Sequence, residues 1–158
     1  YSTNGQLTLR PLDYNYVQTI GGPFIGFVDY YMMNFLYNCT DRCKSDTSAK
    51  CENGGFPHPR DCSKCICPRG YGGDQCNERP PGCGETLQAT SNWVTLTDML
   101  DRQLSDGDYT ECNYWIESPK GTVIELQIVD YPWGYVSAGC SLAGFEIKSN
   151  KNQTATGY

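Results

Sequence analysis

The stretch CENGGFPHPRDCSKCICPRGYGGDQC, residues 51 to 76, limits the fold more than any other part of this chain. It holds five cysteines and five glycines, and its apolar side chains are few, among them Phe56, Ile66 and Tyr71. So little apolar surface cannot build a core of ordinary size. Either bonds between sulfur atoms or a coordinated metal must hold the stretch in shape. The choice also bears on the compartment, because disulfides persist in oxidising surroundings.

The chain has 158 residues, room for one domain or a few small modules. Its net charge of −6 is unevenly spread. Residues 1 to 82 carry eight Lys/Arg and eight Asp/Glu, which cancel, whereas residues 83 to 158 carry four Lys/Arg and ten Asp/Glu. The acidity therefore lies in the second half. A nucleic-acid or anionic-lipid partner is not expected, since phosphates would be repelled.

The sequence opens on Tyr1 without a basic and then apolar leader, so no signal peptide is expected within it. A mature, processed chain or a fragment fits that opening. The most apolar window, GGPFIGFVDYYMMNFLY at 21 to 37, contains Gly, Pro, Asp29 and Asn34. It is too interrupted to cross a bilayer, and no membrane span is expected.

The ten cysteines are Cys39, Cys43, Cys51, Cys62, Cys65, Cys67, Cys76, Cys83, Cys112 and Cys140. A zinc reading would take thiolates from Cys62, Cys65 and Cys67, with His58, the single histidine, as a further ligand. Structural zinc sites usually draw on two separated pairs of ligands, and the spacing here is crowded and single. His58 lies between two prolines and reads as a loop residue. Bridges in a secreted protein are the favoured reading. Two glycosylation sequons agree with it, Asn38-Cys39-Thr40 and Asn152-Gln153-Thr154. Six cysteines alone still allow fifteen pairings.

The tail of the opening stretch narrows the choice. Cys65-Ile66-Cys67 is followed by Gly70-Tyr71, Gly73 and Cys76, and an Asn53-Gly54-Gly55 turn follows Cys51. This pattern resembles an EGF-like module spanning residues 41 to 77, with Cys43 as its first cysteine. The resemblance implies that Cys43 pairs with Cys62, Cys51 with Cys65, and Cys67 with Cys76. Three bridges of about 2–4 kcal/mol each would stand in for the missing core. Many modules of this family bind calcium through acidic residues before the first cysteine. Here that segment reads Asn38-Cys39-Thr40-Asp41-Arg42, and no calcium is expected at the module.

Arg79-Pro80-Pro81-Gly82, within a linker at 78 to 82, reads as short and stiff. Beyond it, Trp93 to Thr97, Tyr109 to Ile116, Gly121 to Ile128 and Gly144 to Lys148 have the texture of strands, with Asp106-Gly107 as a turn. Ile124, Leu126 and Ile128 share one face, and Glu125 and Gln127 the other. An antiparallel sandwich is expected. Cys83-Gly84, Cys112-Asn113-Tyr114-Trp115-Ile116, Pro119-Lys120-Gly121, Cys140 and Phe145-Glu146-Ile147 resemble a CUB domain over 83 to 158. That resemblance implies a Cys83–Cys112 bridge. Cys39 and Cys140 then remain and could bond each other, but the resemblance leaves Cys140 unpaired here, because the family's fourth cysteine is absent. No calcium-binding trio of that family matches, and the carboxylates read as a solvated face.

Upstream, DYYMMNFLYNC at 29 to 39 reads as a helix. Asp29 suits its first turn, and Met32, Phe35, Leu36 and Cys39 fall on one stripe. Tyr1 to Gly5, Thr8-Leu9-Arg10-Pro11-Leu12 and this helix, with Asp29, Asn34, Tyr37 and Cys39, resemble the end of an astacin-type zinc endopeptidase catalytic domain, residues 1 to 40. The order catalytic domain, EGF-like, CUB is that of many secreted nematode astacins. The fold class thereby expected is a disulfide-rich EGF-like module plus an incomplete all-β CUB-type sandwich, preceded by the last helix of an astacin domain.

The resemblance implies a secreted parent enzyme that cuts extracellular proteins, with zinc as its cofactor. It also implies that the partner of Cys39 lies near the start of the catalytic domain, so Cys39 is unpaired here. The family's H-E-x-x-H-x-x-G-x-x-H motif is absent from the sequence, so no catalytic residue and no metal ligand carries over. Alone, the chain is expected to be inactive. Its first 38 residues are expected to be mobile for want of packing partners, with Met32, Phe35 and Leu36 left exposed. A second reading is a secreted EGF–CUB binding protein without catalysis. The segment from Thr8 to Cys39 speaks against it, having no purpose in such a protein.

Overall fold

The computed structural model describes residues 2–17, 25–100, 110–131, 142–149 and 151–154. Its elements run as one α-helix, α1 (Phe27–Leu36), and four strands, β1 (Phe56–His58), β2 (Asp61–Ile66), β3 (Thr86–Gln88) and β4 (Trp115–Glu117). Short 3-10 turns stand at Tyr14–Tyr16 and Cys39–Arg42. No helix among the described residues is long and apolar enough to cross a membrane.

Asp29 starts α1, as its position suggests. Its carboxylate accepts the backbone N–H of Gly26 at 2.8 Å, which satisfies a donor that the helix leaves unpaired. The carboxylate also meets the positive end of the helix dipole. The helix begins two residues before the segment read from sequence and ends at Leu36, short of Cys39. Asn38 then takes a left-handed conformation, φ 52°, which asparagine tolerates better than most residues and which stops the helix.

The exposure expected of the apolar stripe is found, and the buried contact lies elsewhere on the helix. Met32, Phe35 and Leu36 are exposed, Phe35 and Leu36 at 69 % each. The buried residue is Phe27, 4 % exposed, one turn earlier on the helix. Its ring lies 5.7 Å from that of Phe56, and Tyr31 meets Phe56 edge-on at 5.5 Å. The upstream segment therefore does have a packing partner, which is the first strand of the cysteine-rich stretch.

That stretch folds as an antiparallel hairpin of β1 and β2, with Phe56 opposite Ile66 and Pro57 opposite Cys65. The register shifts between Pro57 and His58. Phe56 and Cys76 are its buried centre, together with Pro68. Gly55 is required there: a Cβ at that position would stand 2.5 Å from the Cys76 sulfur. An antiparallel bridge between Gly72 and Glu78 closes the far end.

Beyond residue 82 the structure departs from the expected sandwich. β3 and β4 form a parallel pair, Thr86 beside Trp115 and Gln88 beside Glu117. Trp93 to Thr97, Gly121 to Ile128 and Gly144 to Lys148 are not strands, and of the expected Tyr109–Ile116 strand only Trp115 and Ile116 are strand among the described residues, in β4. A strand is defined by a partner's hydrogen bonds, and alternation of side chains only shows that one face could be covered. Val123, Leu126 and Ile128 are all exposed, Val123 at 88 %, and no second sheet among the described residues covers them. The expected turn at Asp106-Gly107 lies outside the described residues.

Candidate functional site

The chemistry-bearing residues gather around the cysteine-rich module and its two flanks. Within the module the sulfurs are joined Cys43 to Cys62, Cys51 to Cys65 and Cys67 to Cys76. A fourth bond joins Cys83 to Cys112. The four links tie loops of 19, 14, 9 and 29 residues, so each removes freedom from the unfolded chain. Cys39 is free and half-buried, its thiol pointing to the Tyr37 carbonyl. Cys140 lies outside the described residues.

The structure bears on a metal through two groups. Cys83, Asp98 and Cys112 bring three potential donor atoms within 4.8 Å of one another. The two sulfurs there are bonded to each other, however, and a disulfide offers no thiolate. His58 accepts the Arg60 backbone N–H at its Nδ1, 3.1 Å away, while its carbonyl faces the Cys43 sulfur. These residues do not fit a catalytic zinc, which needs three converging ligands and an open position. No step of a reaction is therefore assigned to them.

The C-terminal flank meets the module through Gly70 and Tyr71. The Trp115 indole N–H donates to the Gly70 carbonyl at 2.9 Å. Its ring meets that of Tyr71 edge-on at 5.7 Å. The Tyr71 hydroxyl donates to Gln153 Oε1 at 3.2 Å, and Lys148 Nζ donates to the Gln153 carbonyl at 3.0 Å. Burial pushes the Tyr71 phenol above its ordinary pKa. An ion pair between Arg69 and Glu111, 2.9 Å apart, stands beside this contact. Its exposure makes it a weak contributor.

The linker is pinned as well as short. Arg79 donates to the carbonyls of Cys83 and Asn113 at 3.2 and 3.4 Å. Asn113 N–H in turn donates to the Cys83 carbonyl at 3.0 Å. Gly84, at φ +95°, lies against this turn, where a Cβ would come within 2.0 Å of the Asn113 carbonyl oxygen. Next to it, the Tyr114 phenol is shifted upward, first by burial and then by a hydrogen bond and charge from Asp98, with Glu85 adding to the charge.

Both sequons stand on exposed asparagines. Asn38 is the left-handed residue that ends α1. Asn152 Oδ1 accepts both the N–H and the hydroxyl of Thr154, at 3.0 and 2.6 Å. Sequence reading missed Phe56, Tyr71 and Trp115 as contact residues. Tyr71 counted as part of the module's pattern and Trp115 as part of a strand, and neither pattern says which ring another segment will meet.

These contacts define a disulfide-rich chain with one helix and few strands among the described residues, built of segments that touch through aromatic residues. Curated relatives narrow the class: the chain is homologous to zinc metalloproteinases of the nematode Caenorhabditis elegans. Zinc metalloproteinase nas-31 is 43 % identical over 159 residues, which is 99 % of this chain and 26 % of that protein. Zinc metalloproteinase nas-25 is 37 % identical over 89 % of the chain and 37 % of its own length. Zinc metalloproteinase nas-32 is 36 % identical over 98 % of the chain and 24 % of its length. The chain thus spans between about a quarter and just over a third of the length of these relatives. No family model matches the chain. No solved structure matches it.

Proposed function

We propose that this chain is the C-terminal portion of a secreted astacin-type zinc metalloendopeptidase acting on extracellular proteins. In this reading residues 1–40 end the catalytic domain. Residues 41–77 are an EGF-like module, 78–82 a linker and 83–158 an incomplete CUB-type module. The two modules position substrate or a partner for the protease. Zinc and its ligands belong to a part of the parent polypeptide outside this chain.

One observation carries the reading. The 43 % identity to a zinc metalloproteinase extends over 99 % of the chain, so it includes the segment upstream of the cysteine-rich module. Cysteine bridges alone would suit any secreted protein. A shared upstream helix suits a protease and not an adhesive module. α1 adds a physical argument: Tyr30, Met32, Met33, Phe35 and Leu36 are all exposed. A helix apolar on every side belongs inside a larger body. The four bridges, the two sequons at Asn38 and Asn152, and the unpaired Cys39 fit a secretory route for that body.

The test compares two proteins. The complete polypeptide that contains this sequence should cleave casein, and a zinc chelator should abolish the cleavage. The chain of residues 1–158 alone should show none. A complete polypeptide that binds extracellular protein but never cleaves it would replace this reading with a non-catalytic binding protein.

A further inference from the structure

We propose that the cysteine-rich module is a rigid coupling piece, locked by aromatic contacts to the helix before it and to the segment after it. Modules strung on short linkers often move independently, and domain motion is the ordinary expectation where the contact is small and polar. Here the contacts are of another kind at both ends.

At the first end, Phe56 is 5 % exposed although it sits on a strand of only three residues. Phe27 and Tyr31, one turn apart on α1, close over it from outside the module. The helix thus supplies part of the core that the module lacks. Two ring contacts from one helical face fix direction as well as distance, because edge-on and tilted pairs have preferred geometries.

At the second end, one indole makes two different contacts. The Trp115 N–H satisfies the Gly70 carbonyl, and the ring meets Tyr71. Gly70 adopts φ +85°, and a Cβ there would come within 3.2 Å of the Lys148 side chain, so the turn and Lys148 are in close approach. Three separate stretches, around Glu111 to Trp115, Lys148 and Gln153, therefore reach the same turn. Arg79 spans the linker and bonds to both sides of the Cys83 turn. Flexing at the linker would break all of these together.

The inference uses contacts within the chain and stands whether or not the protease reading holds. Its consequence is that α1 and the C-terminal segment keep a set separation and angle, with the disulfide core as the stiff member between them.

The experiment is NMR relaxation and hydrogen exchange on the whole oxidised chain. The amides of β1, β2, α1 and β4 should share one rotational correlation time, and the Trp115 indole N–H should exchange at least about tenfold more slowly than a free indole. Tyr71→Ala should raise that indole exchange rate about tenfold, and Tyr31→Ala should speed exchange in α1 by a similar factor. Both should leave the four bridges intact by non-reducing peptide mapping, which shows that the module is still folded. A shorter correlation time for residues 43–76 than for α1 or β4 would overturn the proposal. So would exchange in Trp115 and α1 that neither substitution changes.

Discussion

Phe56 sits where the helix and the hairpin meet, and its replacement is the most informative single change in the chain. Phe56→Ala removes a ring that Phe27 and Tyr31 both touch, and should cost about 3 kcal/mol, near the low end for a buried aromatic. The three bridges keep the hairpin closed, so the loss should appear as faster amide exchange in α1 and not as a broken module. Two titrating groups give pH signatures. The Asp61 carboxyl is held below its ordinary pKa, first by the Ser63 hydroxyl and then by the Ser63 backbone N–H. A depressed carboxylate contributes stability above its ordinary pKa and loses it as pH falls through the lowered one. Asp61 is exposed, so the effect is local. An NMR titration should place its midpoint below the usual range, and Ser63→Ala should move the midpoint back up. Tyr71 runs the opposite way. Burial raises its pKa, so its contact with Trp115 is intact below pH 10 and weakens as pH climbs beyond it. The sequence reading did not single out Asp61 or Ser63, because a hydrogen bond between residues two apart leaves no mark in periodicity.

At the scale of elements, α1 was legible from Asp29 and from its run of apolar residues, and the structure moved it by two residues. What could not be read was its buried face. Nearly every side chain of α1 is apolar, so spacing did not distinguish the Phe27–Tyr31 side from the Met32–Leu36 side. Only the partner decides, and the partner is Phe56, about 25 residues further on. Asp29→Ala should destabilise α1 by about 1 kcal/mol, because the Gly26 N–H then loses its acceptor and the helix dipole loses its charge. Circular dichroism of the oxidised chain should show less helix. An unchanged spectrum would mean that the helix is held by its docking alone. The strands after residue 82 were the least legible elements. Gly121 to Ile128 alternates well, yet no ladder forms there, whereas β3 and β4, three residues each, pair in parallel. Parallel pairing joins segments far apart in sequence, here beside the Cys83–Cys112 bridge, and local alternation carries no signal for it.

For the whole molecule, covalent cross-links take the place of a core that the cysteine-rich stretch has too few apolar side chains to supply. Few large side chains are buried among the described residues, and long apolar ones such as Val123, Leu126 and Ile128 face outward. A body of this kind would not hold together by burial alone. In the function proposed above, the exposed apolar helix is one face of a larger unit. The cysteine pattern made the module legible from sequence, while the contacts at its two ends came only with the fold. Reduction should therefore abolish the hairpin, since loops of this size lose about 3 kcal/mol of restraint per bridge. The most direct test is peptide mapping of the unreduced chain by mass spectrometry. Covalently linked peptides joining Cys43 to Cys62, Cys51 to Cys65, Cys67 to Cys76 and Cys83 to Cys112, with no bound metal, are the predicted result. Free thiols at the six central cysteines, together with a tightly held ion, would contradict the account.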